Sequence, residues 1–459
     1  MTDLADALFT TPAMAAVFSA EARVRRMLDF EAALARAQAR AGVIPPEAAA
    51  AIGASCRVEL FDLDALAREA AVAGTPVIPL ARMLGDLVGG EAVRYVHWGA
   101  TSQDAIDTGM VLQARDGIDR LEEGLLALGA ACASLAERHR ATPMAGRTLL
   151  QHALPITFGL KAARWLALAT RQARRLRELR RRVLVVQLGG AAGTLASLGT
   201  DGLRVMELLA EELGLAAPEL PWHAERDRVG ELAAGLGVVA GAMAKIAVDL
   251  ALLAQTEVGE ASEAAAPGKG GSSALPQKRN PVDATMALAA ARLAIGQVPV
   301  VLGAMAQEHE RAAGAWQAEW AAIPDLFRFT AGALDRVRSA LETLEVDADR
   351  MRRNLDAAGG LILAEALATA LADKVGRPEA QRIVRGVCDR ARRDGAELKT
   401  AALADERVAA NLTPDAIGRA LDPIGYLGAA DAFVDRALAG YREAREGSSP
   451  IGDKNVERT

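Results

Sequence analysis

The densest run of chemically capable side chains lies in Gly268-Lys-Gly-Gly-Ser-Ser-Ala-Leu-Pro-Gln-Lys-Arg-Asn-Pro281. Its glycines, together with Pro267, Pro276 and Pro281, exclude regular secondary structure, so the stretch reads as a loop. Into it are packed Ser272, Ser273, Lys269, Lys278, Arg279 and Asn280. That mixture suits an anionic ligand. Glycines let backbone N–H groups come close to it, the cations balance its charge, and a hydroxyl can carry a proton. A phosphate-binding P-loop is the obvious alternative and fails, because Lys269 is followed by Gly270 rather than Ser or Thr, and no strand precedes it. A plain linker between helices has no need of so many charged and hydroxyl groups.

Two further segments carry polar groups at telling spacings. In His97-Trp-Gly-Ala-Thr-Ser-Gln-Asp104, Thr101 and Asp104 have the spacing of a capping box, with Asp in place of the usual Glu or Gln. The helix start this predicts offers free N–H groups and the hydroxyls of Thr101 and Ser102, a setting that binds a carboxylate. His97 fits either a ligand contact or a buried, hydrogen-bonded histidine. In Gly146-Arg-Thr-Leu-Leu-Gln-His-Ala-Leu-Pro155, Thr148 and Gln151 can hydrogen-bond a carboxylate, and His152 is available as acid, base or donor. As local structure this segment reads as a turn leading into a helix, with Pro155 near the helix start. Two weaker segments are Gln307-Glu-His-Glu-Arg311 and Trp222-His223 followed by Arg226-Asp227. Both also fit ion pairs on helix surfaces, although Arg311 and Arg226 would suit an anionic ligand. The arginines between Arg171 and Arg182 alternate with Leu176 and Leu179, which predicts a solvated or subunit-contacting helix face. His97, His139, His152, His223 and His309 show no metal-ligand spacing with one another or with Cys56, Cys132 and Cys388, so no metal site is expected.

The elements that must position these groups are helices. Over 459 residues, 51% are apolar but only 3% aromatic; the apolar mass is mainly Ala, Leu and Val, which suits closely packed helices. One seam runs Val111, Ala114, Ile118, Leu121, Leu125, Leu128, Cys132, Leu135, and another Val229, Leu232, Leu236, Val239, Met243, Ile246, Leu250, Leu253. Alternating steps of three and four predict long helices of the bundle type. Ala and Gly beside each seam point to a crowded bundle with surface left over for other subunits. Met27, Phe30 and Leu34 form a shorter stripe stopped by Gly42 and Pro45-Pro46; from Asp347 shorter helices follow, broken at Gly359-Gly360 and Gly376-Arg377-Pro378. No alternating strand run is evident. The expected fold is therefore all-α, with an N-terminal helical domain over 1–105, a central long-helix bundle over 106–350 and a C-terminal helical domain over 351–459, ending in a polar, frayed tail from Gly447. The net charge of −6 offers no basic surface for nucleic acid. The start of the chain lacks the pattern of a signal peptide, and the scattered cysteines suggest a reducing, cytoplasmic setting. The most apolar stretch, Leu236 to Ala254, contains Lys245 and Asp249 and reads as a buried helix rather than a membrane span.

The loop word Gly271-Ser-Ser-Ala-Leu-Pro-Gln-Lys-Arg-Asn280 resembles the signature loop of the fumarase/aspartase superfamily, with Leu275 where Met is usual. The Thr-Ser-x-Asp pattern at 101–104 and Arg147, Thr148, Gln151, Ala153 and Pro155 resemble two further regions of that group. Nearly the whole chain is covered. The resemblance implies the three-domain helical fold, a homotetramer whose active sites are shared between subunits, and no cofactor. It also implies that Ser272, with Ser273 beside it and His152 as another candidate, exchanges a proton with carbon next to a carboxylate. His97, Thr101, Ser102, Thr148, Gln151, Lys278, Asn280 and Arg311 would hold the anionic substrate. Members that expel water or an amine usually carry His directly after the threonine; here that place is Leu149. A carboxylate leaves as a weak base and needs no acid, and His97 to Asp104 with Thr148-Leu-Leu-Gln-His152 most resembles the carboxymuconate cycloisomerases. The implied substrate is a small tricarboxylate, 3-carboxy-cis,cis-muconate, closed reversibly to 4-carboxymuconolactone in protocatechuate breakdown. Adenylosuccinate lyase and argininosuccinate lyase are the alternatives within the group, and a non-catalytic helical scaffold the alternative outside it.

Overall fold

The computed structural model describes residues 4–447; the tail expected to fray lies, from 448 on, outside the described residues. The predicted seams form the long helices Ser102–Arg138 and Asp227–Leu253. Every residue of both seams is at most 4% exposed, so the three-four periodicity marks the buried face in each case. The first helix has 37 residues, on the order of 55 Å of rod. Phe158–Val183, Val282–Gly303 and Ala315–Glu342 complete a set of five long helices, the last two containing Pro299 and Pro324. The architecture is all-α, as its sequence predicts.

Contacts divide the chain into two compact units. The first comprises Met1–Leu125, Gln172–Lys245 and Met286–Arg336. In it the helix Ala20–Arg40 starts at Ser19, whose hydroxyl accepts from the Ala22 N–H, and buries Met27, Phe30 and Leu34. It packs on the helices Pro46–Ser55 and Gly202–Leu213. The arginine run lies on a helix face, with Arg177 on Glu122, Arg180 on Asp119 and Arg182 on Glu231.

The second unit comprises Leu126–Arg171, Ile246–Thr285 and Val337–Thr459. Its C-terminal part breaks where the glycines require. Gly359 and Gly360 take positive φ after the helix Ala348–Asp356, and Gly376 (φ 80) separates Ala364–Val375 from Arg377–Asp394. This unit also holds strands. β1 (Pro143–Thr148) pairs antiparallel with β2 (Gln151–Thr157), and β3 (Ala261–Glu263) pairs antiparallel with β4 (Leu344–Val346). The 146–155 segment is therefore a hairpin and not a turn leading into a helix; the helix starts only at Phe158. Pro155 is tolerated because a two-stranded sheet consists of edges only, and no second ladder needs its missing N–H.

The helices Asp227–Leu253 and Val282–Gly303 are long and apolar enough to cross a membrane by length and composition. In the first, Asp249 accepts a hydrogen bond from the Trp165 indole at 2.8 Å, and half of the apolar window is buried inside the protein. Those features place it in the helical packing expected of the Leu236–Ala254 stretch.

Candidate active site

The start of the Ser102–Arg138 helix is tied together by one carboxylate. Asp104 is fully buried, and its Oδ2 accepts from the backbone N–H groups of Thr101 and Gly190, both at 3.0 Å. Its Oδ1 accepts from the Gly189 N–H at 2.9 Å and stands 2.7 Å from His223 Nε2. The Thr101–Asp104 bond is the reciprocal half of the capping box read from the sequence. Its further effect is to fix the backbone at 189–190 beside the helix start. Arg311 rests on that backbone. It donates to the Ala191 carbonyl at 3.1 Å, to Gln103 Oε1 at 3.1 Å, and to Thr101 Oγ1 at 3.3 Å. None of these acceptors is a carboxylate. Arg311 is a half-buried cation without a counter-ion among the described residues, placed at a helix N-terminus, and this combination suits a carboxylate ligand. Ser102 is the first residue of that helix.

His97 sits just before it with φ 56, and its Nδ1 lies 2.6 Å from Glu31 Oε1. Burial works against the charged imidazole, but the charge and hydrogen bond of Glu31, with the charge of Asp104, outweigh it and raise the pKa above the ordinary 6.5. The sequence reading left Glu31 out. Its signal was a carboxylate lying on the apolar stripe of Met27, Phe30 and Leu34, where burial demands a partner.

Arg226 takes no part in this cation site. Its side chain is fully buried, with Nη1 2.7 Å from Asp107 Oδ2 and Nη2 2.5 Å from Glu319 Oε2. The expectation of a surface ion pair, or of a substrate-facing guanidinium, is corrected to an interior clamp joining three stretches of the chain. The partners are 119 and 93 residues away, and no local pattern reveals them.

In the second unit the hairpin ends in a two-residue turn. Thr148 pairs with Gln151, and Leu149 (φ 49) and Leu150 (φ 63) form the tip with 96% and 75% of their surface exposed. Thr148, Gln151 and His152 are exposed beside them. Burial and the charge of Arg147 lower the His152 pKa, with Glu260 opposing. Arg147 anchors the hairpin through a two-point pair with Glu260, at 2.8 and 2.7 Å; Glu260 is fully buried and also accepts from Asn354 at 2.8 Å.

The glycine-rich loop is closed at its neck. The Asn280 backbone N–H donates to the Gly270 carbonyl at 2.8 Å, and its side-chain amide donates to the carbonyls of Gly270 and Gly271. Gly270 has φ 74, and a Cβ there would stand 2.8 Å from the Asn280 carbonyl oxygen, so only glycine fits. Lys269 is drawn away from the loop to Asp283 at 2.6 Å and Glu263 at 3.3 Å, while Glu263 accepts from the first N–H groups of the Val282–Gly303 helix. Ser272 is half-buried, and its Oγ accepts from the backbone N–H groups of Leu275 at 3.1 Å and Ala274 at 3.3 Å. Ser273 and Lys278 are exposed. No hydrogen bond joins the hairpin tip to the loop among the described residues. Cysteine chemistry is absent from this picture: burial pushes the Cys56 and Cys132 thiols up to about 12.

A family model described as lyase matches residues 8–298, and one described as adenylosuccinate lyase C-terminus matches residues 360–437. This chain belongs to the lyase family of the fumarase/aspartase superfamily. The lyase is 53% identical over 439 residues to a Pseudomonas aeruginosa protein named 3-carboxy-cis,cis-muconate cycloisomerase, covering 95% of this chain and 96% of that one. It is 44% identical over 441 residues to the nitrosuccinate lyase of Streptomyces davaonensis, covering 94% and 93% of the two. The crystal structure of 3-carboxy-cis,cis-muconate lactonizing enzyme from Pseudomonas putida matches with a TM-score of 0.90 at 46% identity, over 97% of this lyase and 100% of that chain.

Proposed function

We propose that this lyase is a 3-carboxy-cis,cis-muconate cycloisomerase, adding a substrate carboxylate reversibly across a double bond of the same molecule to give 4-carboxymuconolactone. The observation that carries the reading is the 53% identity to a protein of that name over nearly the full length of both chains. The absence of histidine at Leu149 supports it, since the leaving carboxylate of the reverse reaction needs no acid. Attack on the alkene builds negative charge on the conjugated carboxylate. Arg311, Lys278 and the hydroxyls of Thr101, Ser102 and Thr148 would hold the substrate's anionic groups, with Gln151, Asn280 and His97 as further donors. Asn280 already spends its amide on the loop neck, so its contribution to substrate is through loop shape unless that neck opens. Ser272 would deliver the proton to carbon. Two backbone N–H groups on its oxygen would stabilise the negative charge left when that proton is given up. Ser273 and His152 are the alternatives for that role.

The same reading includes a cytoplasmic homotetramer with shared sites, no cofactor and domains divided near 105 and 350. The apolar residues left on the long helices support the tetramer. Val238, Val248, Leu293, Ile295, Val300 and Leu302 are each 40–47% exposed, more apolar surface than a lone chain leaves in water on two helices. The test is direct. Purified protein should bleach the ultraviolet absorbance of the conjugated diene of 3-carboxy-cis,cis-muconate as the lactone forms. No bleaching with that substrate, together with turnover of nitrosuccinate, would replace the proposal with the activity named for the Streptomyces relative.

A further inference from the structure

The first unit contains an open groove of about 530 Å³ for which the proposed reaction has no use. Leu63, Leu66, Ala67 and Ala70, a single stripe of the helix Leu63–Ala73, form one wall, and Val24 and Met27 come from the helix Ala20–Arg40. Arg23 and Trp320 line the groove and also line an adjoining cleft of about 30 Å³. Arg23 is the only charged residue of the groove lining. It donates to the Trp320 carbonyl and pairs with no carboxylate among the described residues. The Trp320 indole N–H is buried and has no hydrogen-bond partner among the described residues. Burial holds the Arg23 guanidinium below its ordinary pKa, the mark of a cation short of both water and counter-charge. Asp107 and Glu319 border the small cleft, but Arg226 already engages both.

We propose that this groove binds a monocarboxylate with an apolar body. The acid end accepts hydrogen bonds from Arg23, supplying the missing counter-charge. The hydrocarbon body covers the leucine and alanine wall. The groove falls within the range of small-molecule sites, roughly 300–1,000 Å³. A single cation selects a single carboxylate, because a tricarboxylate would strand two charges against Leu63, Leu66 and Met27. The ligand class thus differs from the tricarboxylate of the proposed reaction.

Titration calorimetry of the full-length protein with octanoate, octylamine and octan-1-ol tests it. Octanoate should bind saturably with one molecule per chain, octan-1-ol at least tenfold more weakly, and octylamine without measurable heat. Arg23→Gln should weaken octanoate at least tenfold. Ala67→Phe, which fills the groove from an exposed helix position, should do the same without touching the cation, and so covers the case in which Arg23→Gln fails to fold. Equal binding of octanoate and octylamine, octanoate affinity unchanged in Ala67→Phe, or no saturable octanoate binding would each overturn the proposal.

Discussion

At the scale of single residues, the site depends on what holds each group. Ser272 is set apart from the exposed Ser273 by its two backbone donors, which Ser273 lacks among the described residues. Ser272→Ala should therefore lower turnover on the order of 100-fold or more, the scale of losing a positioned acid or base, with KM much less affected. Nearly full activity would move the role to Ser273 or His152. Leu149→His tests the leaving-group reading in steady-state assays: lactonisation should not improve, and a large gain would remove the chemical reason for the assignment. His97 adds a pH signature. Its folded pKa lies above 6.5, so the stability contributed by the Glu31 pair is fully present below that value and is lost as pH rises through the folded pKa. The difference in unfolding free energy between wild type and His97→Gln, measured by urea titration, should be largest near pH 6 and shrink at higher pH. A difference that grows with pH would mean the histidine is held neutral.

At the scale of elements, the hairpin is where the sequence misled. Strands betray themselves by alternation, yet β1 runs intermediate, three buried, intermediate, exposed, with its register slipping between Ala145 and Arg147. Such a ribbon has no polar face to write a period of two. The turn concealed itself as well, since both tip residues take positive φ, for which Asn and Gly are the usual signals, and here they are leucines. Each leucine costs roughly 1–2 kcal/mol in that conformation. Leu150→Gly should accordingly raise the thermal midpoint of the isolated chain while lowering turnover, because two strained, exposed leucines are retained at some expense to stability. Higher midpoint and unchanged turnover would show the tip to be unused. The seams were legible because a long helix repeats its burial signal eight times over; Arg226 and Glu260 were not, because their partners are fixed by packing between distant segments. Among the candidate residues, the loop and the capping box could each be read as words, whereas the Asp104 network that seats Arg311 needed the fold.

At the scale of the whole molecule, the exposed valines and leucines of Asp227–Leu253 and Val282–Gly303 set the expected assembly. Sedimentation should find a tetramer, and Leu302→Glu should shift it toward smaller species with loss of activity while circular dichroism keeps its helical signal. A stable, active monomer would contradict the shared-site reading. The substitution tests contact between copies without touching any residue assigned to substrate.

The five long helices each begin in one compact unit and end in the other, at 125/126, 171/172, 245/246, 285/286 and 336/337. A helix cannot lose half its length without exposing fresh ends and unpaired carbonyls at the break, and nucleating such ends is costly. Neither unit can therefore melt by itself. A heat-capacity trace should show one peak where two compact units would ordinarily give two, and a protease should find no stable fragment to leave behind.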